Sequence, residues 1–470
     1  MISTKAGRAR NRETGRVRDT VRRAANHSDS AQIHPDVNRI SCGLVLVGCL
    51  VTANGGAARS STPTPATPSV PPVPSTSPAV APTIAPVAIG PTVAPISPSS
   101  SPVRTVVSSW PLPPGQLHQK LGEAKTGPNP KQVAFTPDGK ELWTPLLGGT
   151  GVDVFRVPDL QRIARIPLGT HGGVEVIFTR DAKRAYVSQM QTASVYEIDV
   201  QSKRVLRVLK TGGNWTKILE LSPDEKTLYA ANWVSDDISV VDLATGTLKR
   251  RIPTVDTPRG LVVTDDGASL YVAGFEDGEI VRVDLEPAVI KTASSRAGAS
   301  TVKLAGVTST LLFRTGGAMR HLALDRKAGL LYADDMGRDS VFIVDLATGK
   351  VRTMASTDSH PNTIDLSPDA KYLYVSNRGH NSEKGYNQFG PDYGSVLIFD
   401  TATGKAIDAI VGGNQTTGLD VSPDGTLLAF TDFQDARVQL YAIPSVDVLS
   451  RSTGTRVATY KLELLRKKKR

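Results

Sequence analysis

A phrase of about 42 residues recurs seven times in this chain, and a period of that size restricts the fold more than any single residue does. Its clearest copies read Ser222-Pro223-Asp224-Glu225-Lys226-Thr227-Leu228-Tyr229 and Ser367-Pro368-Asp369-Ala370-Lys371-Tyr372-Leu373-Tyr374. Weaker copies begin at Thr136, Thr179, Thr264, Asp325 and Ser422. Taking the last residue of each copy as a marker gives Trp143, Tyr186, Tyr229, Tyr271, Tyr332, Tyr374 and Ala429. The successive spacings are 43, 43, 42, 61, 42 and 55, so a 42–43 residue unit carries two insertions. Units that repeat at such a period bury their faces against their neighbours.

Each unit reads as four strands. Ser-Pro-Asp is a turn by composition, because proline presets its own φ and aspartate bonds back to nearby amides. The third strand alternates apolar and polar residues, as in Ser194-Val195-Tyr196-Glu197-Ile198-Asp199. It runs into Asp-x-Ala-Thr-Gly at Asp242–Gly246, Asp345–Gly349 and Asp400–Gly404, where glycine can take the left-handed conformation of a bulged hairpin. Four short strands per unit, no helical periodicity and radial repetition predict an all-β fold, a seven-bladed β-propeller of four-stranded antiparallel blades over residues 115–452. The strand Leu117–Lys125 is expected to complete the last blade, with Val446–Ser450 as the competing candidate.

The run Ser367–Asn377, followed by Val396-Leu397-Ile398-Phe399-Asp400-Thr401-Ala402-Thr403-Gly404-Lys405, resembles the YVTN family of bacterial β-propellers. The resemblance spans residues 128–452 and implies the propeller fold. It leaves activity open, since such propellers serve as surface proteins, binding modules and occasional enzymes.

The flanks of the propeller predict a location. Residues 1–59 read as a leader with a lipoprotein-type signal, whose start is expected at Val37. Leu46-Val47-Gly48-Cys49 looks like a lipobox with Cys49 as the lipid acceptor, and the apolar run before it is too short to span a bilayer. The alternative is cleaved secretion near Ala58. Residues 60–114 form a Pro/Ser/Thr/Ala-rich linker and residues 453–470 a basic tail. Residues 117–452 carry a net charge of about −3, so the basic character belongs to the flanks and nucleic-acid binding is not supported. The expected setting is the bacterial cell envelope, exported and held to a membrane by the lipid, with the chain a monomer.

Register along the repeat also predicts a binding face. The second position of each inner strand reads Lys131, Val174, Lys217, Arg259, Arg320, Asn362 and Thr417, so four of seven are basic on a domain that is otherwise slightly acidic. Equivalent positions sit at equal radius, which makes Lys131, Lys217, Arg259 and Arg320 a ring at one channel mouth suited to an anionic ligand or envelope polymer. Like charges so placed repel, and removing Arg259 and Arg320 together is then expected to stabilise the ligand-free domain. Trp215 is an aromatic where its counterparts are small or polar, which marks it as a ligand contact. The insertion within Arg378–Gly394, bearing Tyr386 and Tyr393, lies on the same face and is the first choice for a specificity element.

A second ring, Leu147, Met190, Trp233, Phe275, Met336, Arg378 and Phe433, reads as inter-blade packing. Histidines lack metal-ligand spacing, haem and phosphate motifs are missing, and neither a metal nor a cofactor is expected. The reading is therefore a binding propeller without chemistry of its own. The alternative is a lactone hydrolase or lyase, because Arg320-His321-Leu322-Ala323-Leu324 resembles a segment of lactonase-type propellers, with Arg320 binding an oxyanion and His321 as base.

Overall fold

A computed structural model describes residues 110–285, 301–304 and 307–466. Seven antiparallel sheets form the seven blades, six from strands consecutive in the chain and the seventh from three consecutive strands and the N-terminal one. The innermost strands are Ala134–Phe135, Val176–Phe178, Thr216–Leu221, Pro258–Val263, Met319–Asp325, Pro361–Leu366 and Thr416–Val421, in blades 1 to 7.

The repeated phrase folds as its chemistry dictates. In blade 3 the Ser222 hydroxyl donates to Asp224 (2.7 Å), whose carboxylate accepts the Lys226 N–H (3.2 Å), while the Thr227 N–H donates back to Ser222 Oγ (3.0 Å). The same three bonds recur at Ser367, Asp369, Lys371 and Tyr372 in blade 6. The hairpin turns also repeat. Thr245 N–H donates to Asp242 Oδ1 (2.8 Å) and Gly246 closes the turn at φ 73°.

Burial explains why the units come as a ring. Blade pairs 1–2, 2–3, 3–4, 4–5, 5–6, 6–7 and 7–1 each share one apolar cluster, such as Ile218, Tyr229 and Ile238 of blade 3 with Leu261, Leu270 and Val272 of blade 4. Strands in the middle of a blade are apolar on both faces because each face meets a different neighbour. Carboxylates reinforce the seams. Glu220 accepts the Val263 N–H (3.3 Å), Asp365 that of Val421 (2.9 Å) and Asp420 that of Phe135 (2.6 Å), each from the next blade's inner strand.

The last blade is closed by the N-terminal strand Gln119–Lys125, which pairs with Arg437–Ala442 from Gln119↔Ala442 to Lys125↔Arg437. The competing segment Val446–Ser450 is a short helix. Buried His118 anchors the strand: its backbone N–H (3.0 Å) and its Nδ1 (2.7 Å) both meet the buried Asp408 carboxylate on the outer strand of blade 6. Sharing a blade between the two ends of the chain covers edges that would otherwise template aggregation.

Two expectations change. Residues 455–466, read as part of a basic tail, form a helix, Thr455–Arg466, against the outer strand of blade 6. Tyr460 is buried and donates to Asp358 (2.8 Å); buried Arg456 reaches the Ala409 carbonyl (3.2 Å) and pairs with Glu463. Sequence periodicity hid this helix because it lies outside the repeat. The blade 4 insertion, Pro287–Gly306, reads as a loop from its Ala/Ser/Thr-rich sequence, yet its residues Thr301–Leu304 pair with Val307–Arg314 and give that blade a fifth strand. Cys49 and most of the linker lie outside the described residues.

Candidate functional site

The mouth is built from two coupled rings. The residue just before the inner strand holds a left-handed backbone at Asn129 (φ 53°), Trp215 (59°), Thr257 (49°), His360 (59°) and Gln415 (60°). Non-glycine residues adopt this region at a cost, and here a hydrogen bond holds them in it. The carbonyls of Asn129, Trp215, Thr257, Ala318, His360 and Gln415 accept the N–H groups of Leu147, Trp233, Phe275, Met336, Arg378 and Phe433 at 2.8–3.1 Å. Those donors are six of the seven members of the second ring, all but Met190, so each of these six large side chains stands directly beside the start of an inner strand.

Five inner strands begin with an irregularity in pairing: Thr216/Leu219, Pro258/Gly260, Met319/Leu322, Pro361/Thr363 and Thr416/Leu419. A bulge breaks strict alternation and lets two successive side chains face the same side. Both positions accordingly line one pocket: Lys131, Val174, Arg259, Arg320 and Asn362 from the first, with Gln132, Glu175, Ile218, His321 and Thr363 from the second. The enclosed volume is about 20 Å³. A single water needs roughly 10–15 Å³ in this measure, so the pocket takes the tip of a ligand rather than its body.

Arg259 and Arg320 are both buried and held in place. Arg320 Nε donates to the Asn362 carbonyl (3.1 Å), and the Asn362 amide, with its oxygen turned toward the guanidinium, accepts from Nε and Nη2 at 3.0 and 2.9 Å. Arg259 lies 5.6 Å from the Trp233 ring and Arg320 6.0 Å from Phe275. Lys131 stands 5.3 Å from the Phe433 ring. The expected repulsion within the ring is thus offset by aromatic faces and backbone acceptors.

Burial sets the charge of the pocket. It pushes the Glu175 carboxyl up to about 8, with Arg259 opposing the shift. It also drives His321 down to about 4, assisted by Arg259 and Arg320. At neutral pH Glu175 therefore holds its proton, His321 is neutral, and the guanidinium and ammonium groups decide the sign. Asp334, buried beneath and accepting the His321 N–H (2.5 Å), is raised to about 7 by the same cause. His321 Nδ1 is buried and makes no hydrogen bond among the described residues.

Of the residues expected to bind ligand, Lys131, Arg259 and Arg320 converge on the pocket. Lys217 instead lies over Trp233 (3.5 Å) and beside Trp215 (5.4 Å) on the rim. Trp215, itself half-buried, packs on the buried cluster of Trp233, Phe275 and Met336 from blades 3 to 5. The inserted loop leans the other way, over blade 7. Asn414 Oδ1 accepts the Gly390 N–H (2.9 Å), Gln415 donates to the Gln388 carbonyl (3.1 Å), and Arg378 donates to the Tyr386 carbonyl (2.8 Å). Tyr386 faces Arg378 (5.8 Å), and Tyr393 lines a separate groove; neither lines the channel pocket. Sequence reasoning missed Glu175, Gln132 and Thr363. Reading the third strand position as well as the second would have found them.

Residues 101–299 match the family model described as Lactonase, 7-bladed beta-propeller. The chain is 33% identical over 335 residues to Antigen Lp49 of Leptospira interrogans, covering 70% of each protein. It is also 24% identical over 230 residues to Autophagy-related protein 18 of Neosartorya fischeri, covering 46% of this chain and 51% of that one. Among solved structures, Hydrazine Synthase of Kuenenia stuttgartiensis superposes with a TM-score of 0.55 at 18% identity, over 69% of this chain and 97% of that one, a likeness of fold alone.

Proposed function

The chain belongs to the family of bacterial seven-bladed β-propellers that includes Antigen Lp49, and from that premise we propose that it is an exported envelope protein that binds an anionic group at its channel mouth. One observation carries the reading. Lys131, Arg259 and Arg320, equivalent positions on three blades, meet in one pocket whose acid, Glu175, keeps its proton at neutral pH. Cations so clustered with low-dielectric walls favour a carboxylate, sulfate or phosphate over a neutral group. The pocket accepts such a group while the half-buried Trp215, backed by Trp233 and Phe275, receives the apolar or ring portion attached to it. Lipid attachment at Cys49, the YVTN type of repeat and an envelope location belong to the same proposal; the lipobox, the linker and the name of the antigen relative support them.

Thermal shift tests the reading. Polyphosphate or a sulfated polysaccharide should raise the melting temperature at low salt, the rise should vanish at high salt, and Arg259→Gln with Arg320→Gln should abolish it. A response unchanged in the double variant places the anion elsewhere.

A second reading, lactone hydrolysis, rests on the match to the lactonase family model and on Glu175 and His321, whose affinities for protons are pushed apart in one pocket beside Arg320. Hydrolysis of a lactone panel that His321→Ala removes would replace the binding reading with this one.

A further inference from the structure

We propose that the groove between the blade 6 insertion and the C-terminal helix is a second site, a serine-nucleophile centre for small carboxylic esters, formed by Ser359, His380 and Asp392. Asp392 Oδ2 contacts His380 Nδ1, and His380 Nε2 lies 3.3 Å from Ser359 Oγ. With the carboxylate on Nδ1, the imidazole carries its proton there and Nε2 is left as the acceptor for the serine hydroxyl. That is the order of roles in which a base is oriented by an acid and activates a hydroxyl nucleophile. A separation of 3.3 Å is at the long end for such a pair and shortens when substrate is bound.

The serine is held from both sides. Its carbonyl accepts the Gly379 N–H (3.0 Å). Its predecessor Asp358 is fixed by the hydroxyls of Ser395 (2.6 Å) and Tyr460 (2.8 Å). Its successor His360 takes the left-handed backbone (φ 59°) and bonds through Nδ1 to the Gly379 carbonyl (2.9 Å). Asp392 is placed in turn by Asn414, whose amide donates to the Asp392 carbonyl (3.2 Å) and the Gly390 carbonyl (3.0 Å). The groove has a volume of about 550 Å³, enough for a short acyl chain and its leaving alcohol, with Tyr393, Pro391 and Leu464 as its apolar wall. Lys461 lines it as well, its ammonium 3.6 Å from Asp358 Oδ1, and is the one lysine or arginine among the described residues of the groove's lining.

The chemistry balances with water alone. Ser359 Oγ adds to the ester carbonyl as His380 Nε2 takes its proton. The tetrahedral oxyanion then collapses, the carbon–oxygen bond to the alcohol breaks, and His380 protonates the departing alkoxide. Water attacks the acyl-serine, giving its proton to His380, and the carboxylic acid leaves as Ser359 regains its hydrogen. Ser359 and His380 touch the reacting atoms, while Asp392 positions the imidazole.

The test uses the full chain, p-nitrophenyl acetate and a fluorophosphonate probe. The wild type should add one phosphonyl group, mapped to Ser359 by peptide mass, and turn over the ester. Ser359→Ala and His380→Ala should each lose labelling at that residue and at least 100-fold in turnover, with melting temperatures showing that both variants fold. Asp392→Asn should keep Ser359 labelled slowly and flatten the rise of rate with pH, a readout that loss of fold would not produce. Failure of Ser359 to label, or turnover that persists in Ser359→Ala, overturns the proposal and leaves the channel pocket untouched.

Discussion

The channel mouth and the blade 6 groove lie on one propeller and are constructed in opposite ways. Every pocket residue of the mouth occupies one of two repeat positions, and five strand bulges turn both positions inward. The groove uses residues that the repeat does not specify: a 13-residue excess in unit six, the turn before one inner strand, and a helix beyond the last blade. A site written into the repeat inherits symmetry, which multiplies one kind of charge around an axis. A site written into an insertion escapes symmetry and can bring together three unlike side chains, as a nucleophile, a base and its partner require.

Removing residues 110–127 gives the largest effect and tests how far the two sites depend on closure. It deletes the pairing with Arg437–Ala442 and leaves Asp408 buried without His118. Stranding one partner of a buried pair costs about 3–5 kcal/mol, and with the open edge the melting temperature should fall by roughly 10 °C or more. The anion response, which needs residues from several blades, should disappear, while Ser359 should still label below the melt. An unchanged melt, measured by calorimetry, would show that the ring does not depend on this strand.

Arg259→Gln with Arg320→Gln comes next. The sequence alone implies stabilisation through relief of repulsion, but Arg320 is bonded to Asn362 and both guanidiniums lie by aromatic rings. Hydrogen bonds to charged groups contribute about 1.5–3 kcal/mol each, so the variant should melt several degrees lower, not higher. Ester turnover should stay at the wild-type rate. A higher melt would show that repulsion in the ring outweighs these partners.

Replacing residues 381–391 by a short Gly-Ser link separates the sites from the other side. The groove loses its wall and the support of Asp392, so ester turnover should drop at least tenfold. The anion response should survive, and the melt should fall by a few degrees, because the buried Asn414, Gln415 and Arg378 lose their hydrogen bonds to the loop and water replaces them once the cover is gone. Loss of the anion response instead would make the loop part of the mouth.

These contrasts match what the sequence discloses. Seven blades follow from the markers Trp143 to Ala429, because each blade buries the same positions against its neighbours. Lys131, Arg259 and Arg320 were legible because equal register means equal radius. Lys217 departs from that rule: its long side chain turns toward Trp233, and side-chain direction is not set by register. Glu175 was overlooked since the register was followed at one position per blade only; it stands just ahead of the strand Val176–Phe178, where strand alternation does not decide which way a side chain points. The helix Thr455–Arg466 and the contact between Ser359 and His380 depend on where an insertion folds back, for which the repeat offers no template.

The smallest effect is a dependence on pH that belongs to the mouth alone. Burial raises Glu175 from its ordinary 4.5 to about 8, so the folded chain binds this proton more tightly than the unfolded chain does. Stability from this group is complete below pH 4.5 and declines as pH rises through 8, where the folded state must ionise a buried carboxyl. His321 has the opposite sign, since its lowered affinity costs stability only as pH falls from 6.5 toward 4. Measurements from pH 6.5 to 9 thus avoid His321, and Asp334, raised to about 7, titrates alike in both proteins and cancels from their difference. Glu175→Gln removes the ionisation, so its melting temperature relative to wild type should climb by a few degrees across that range and then level. Above pH 8 the wild type also gains a negative charge among Arg259, Arg320 and Lys131, and its response to polyphosphate should weaken while that of Glu175→Gln persists. Labelling of Ser359 should be equal in the two proteins at each pH. A difference in melting temperature that is flat from pH 6.5 to 9 would mean that Glu175 ionises normally beside Arg259, and that the mouth holds a carboxylate–guanidinium pair in place of a net positive ring.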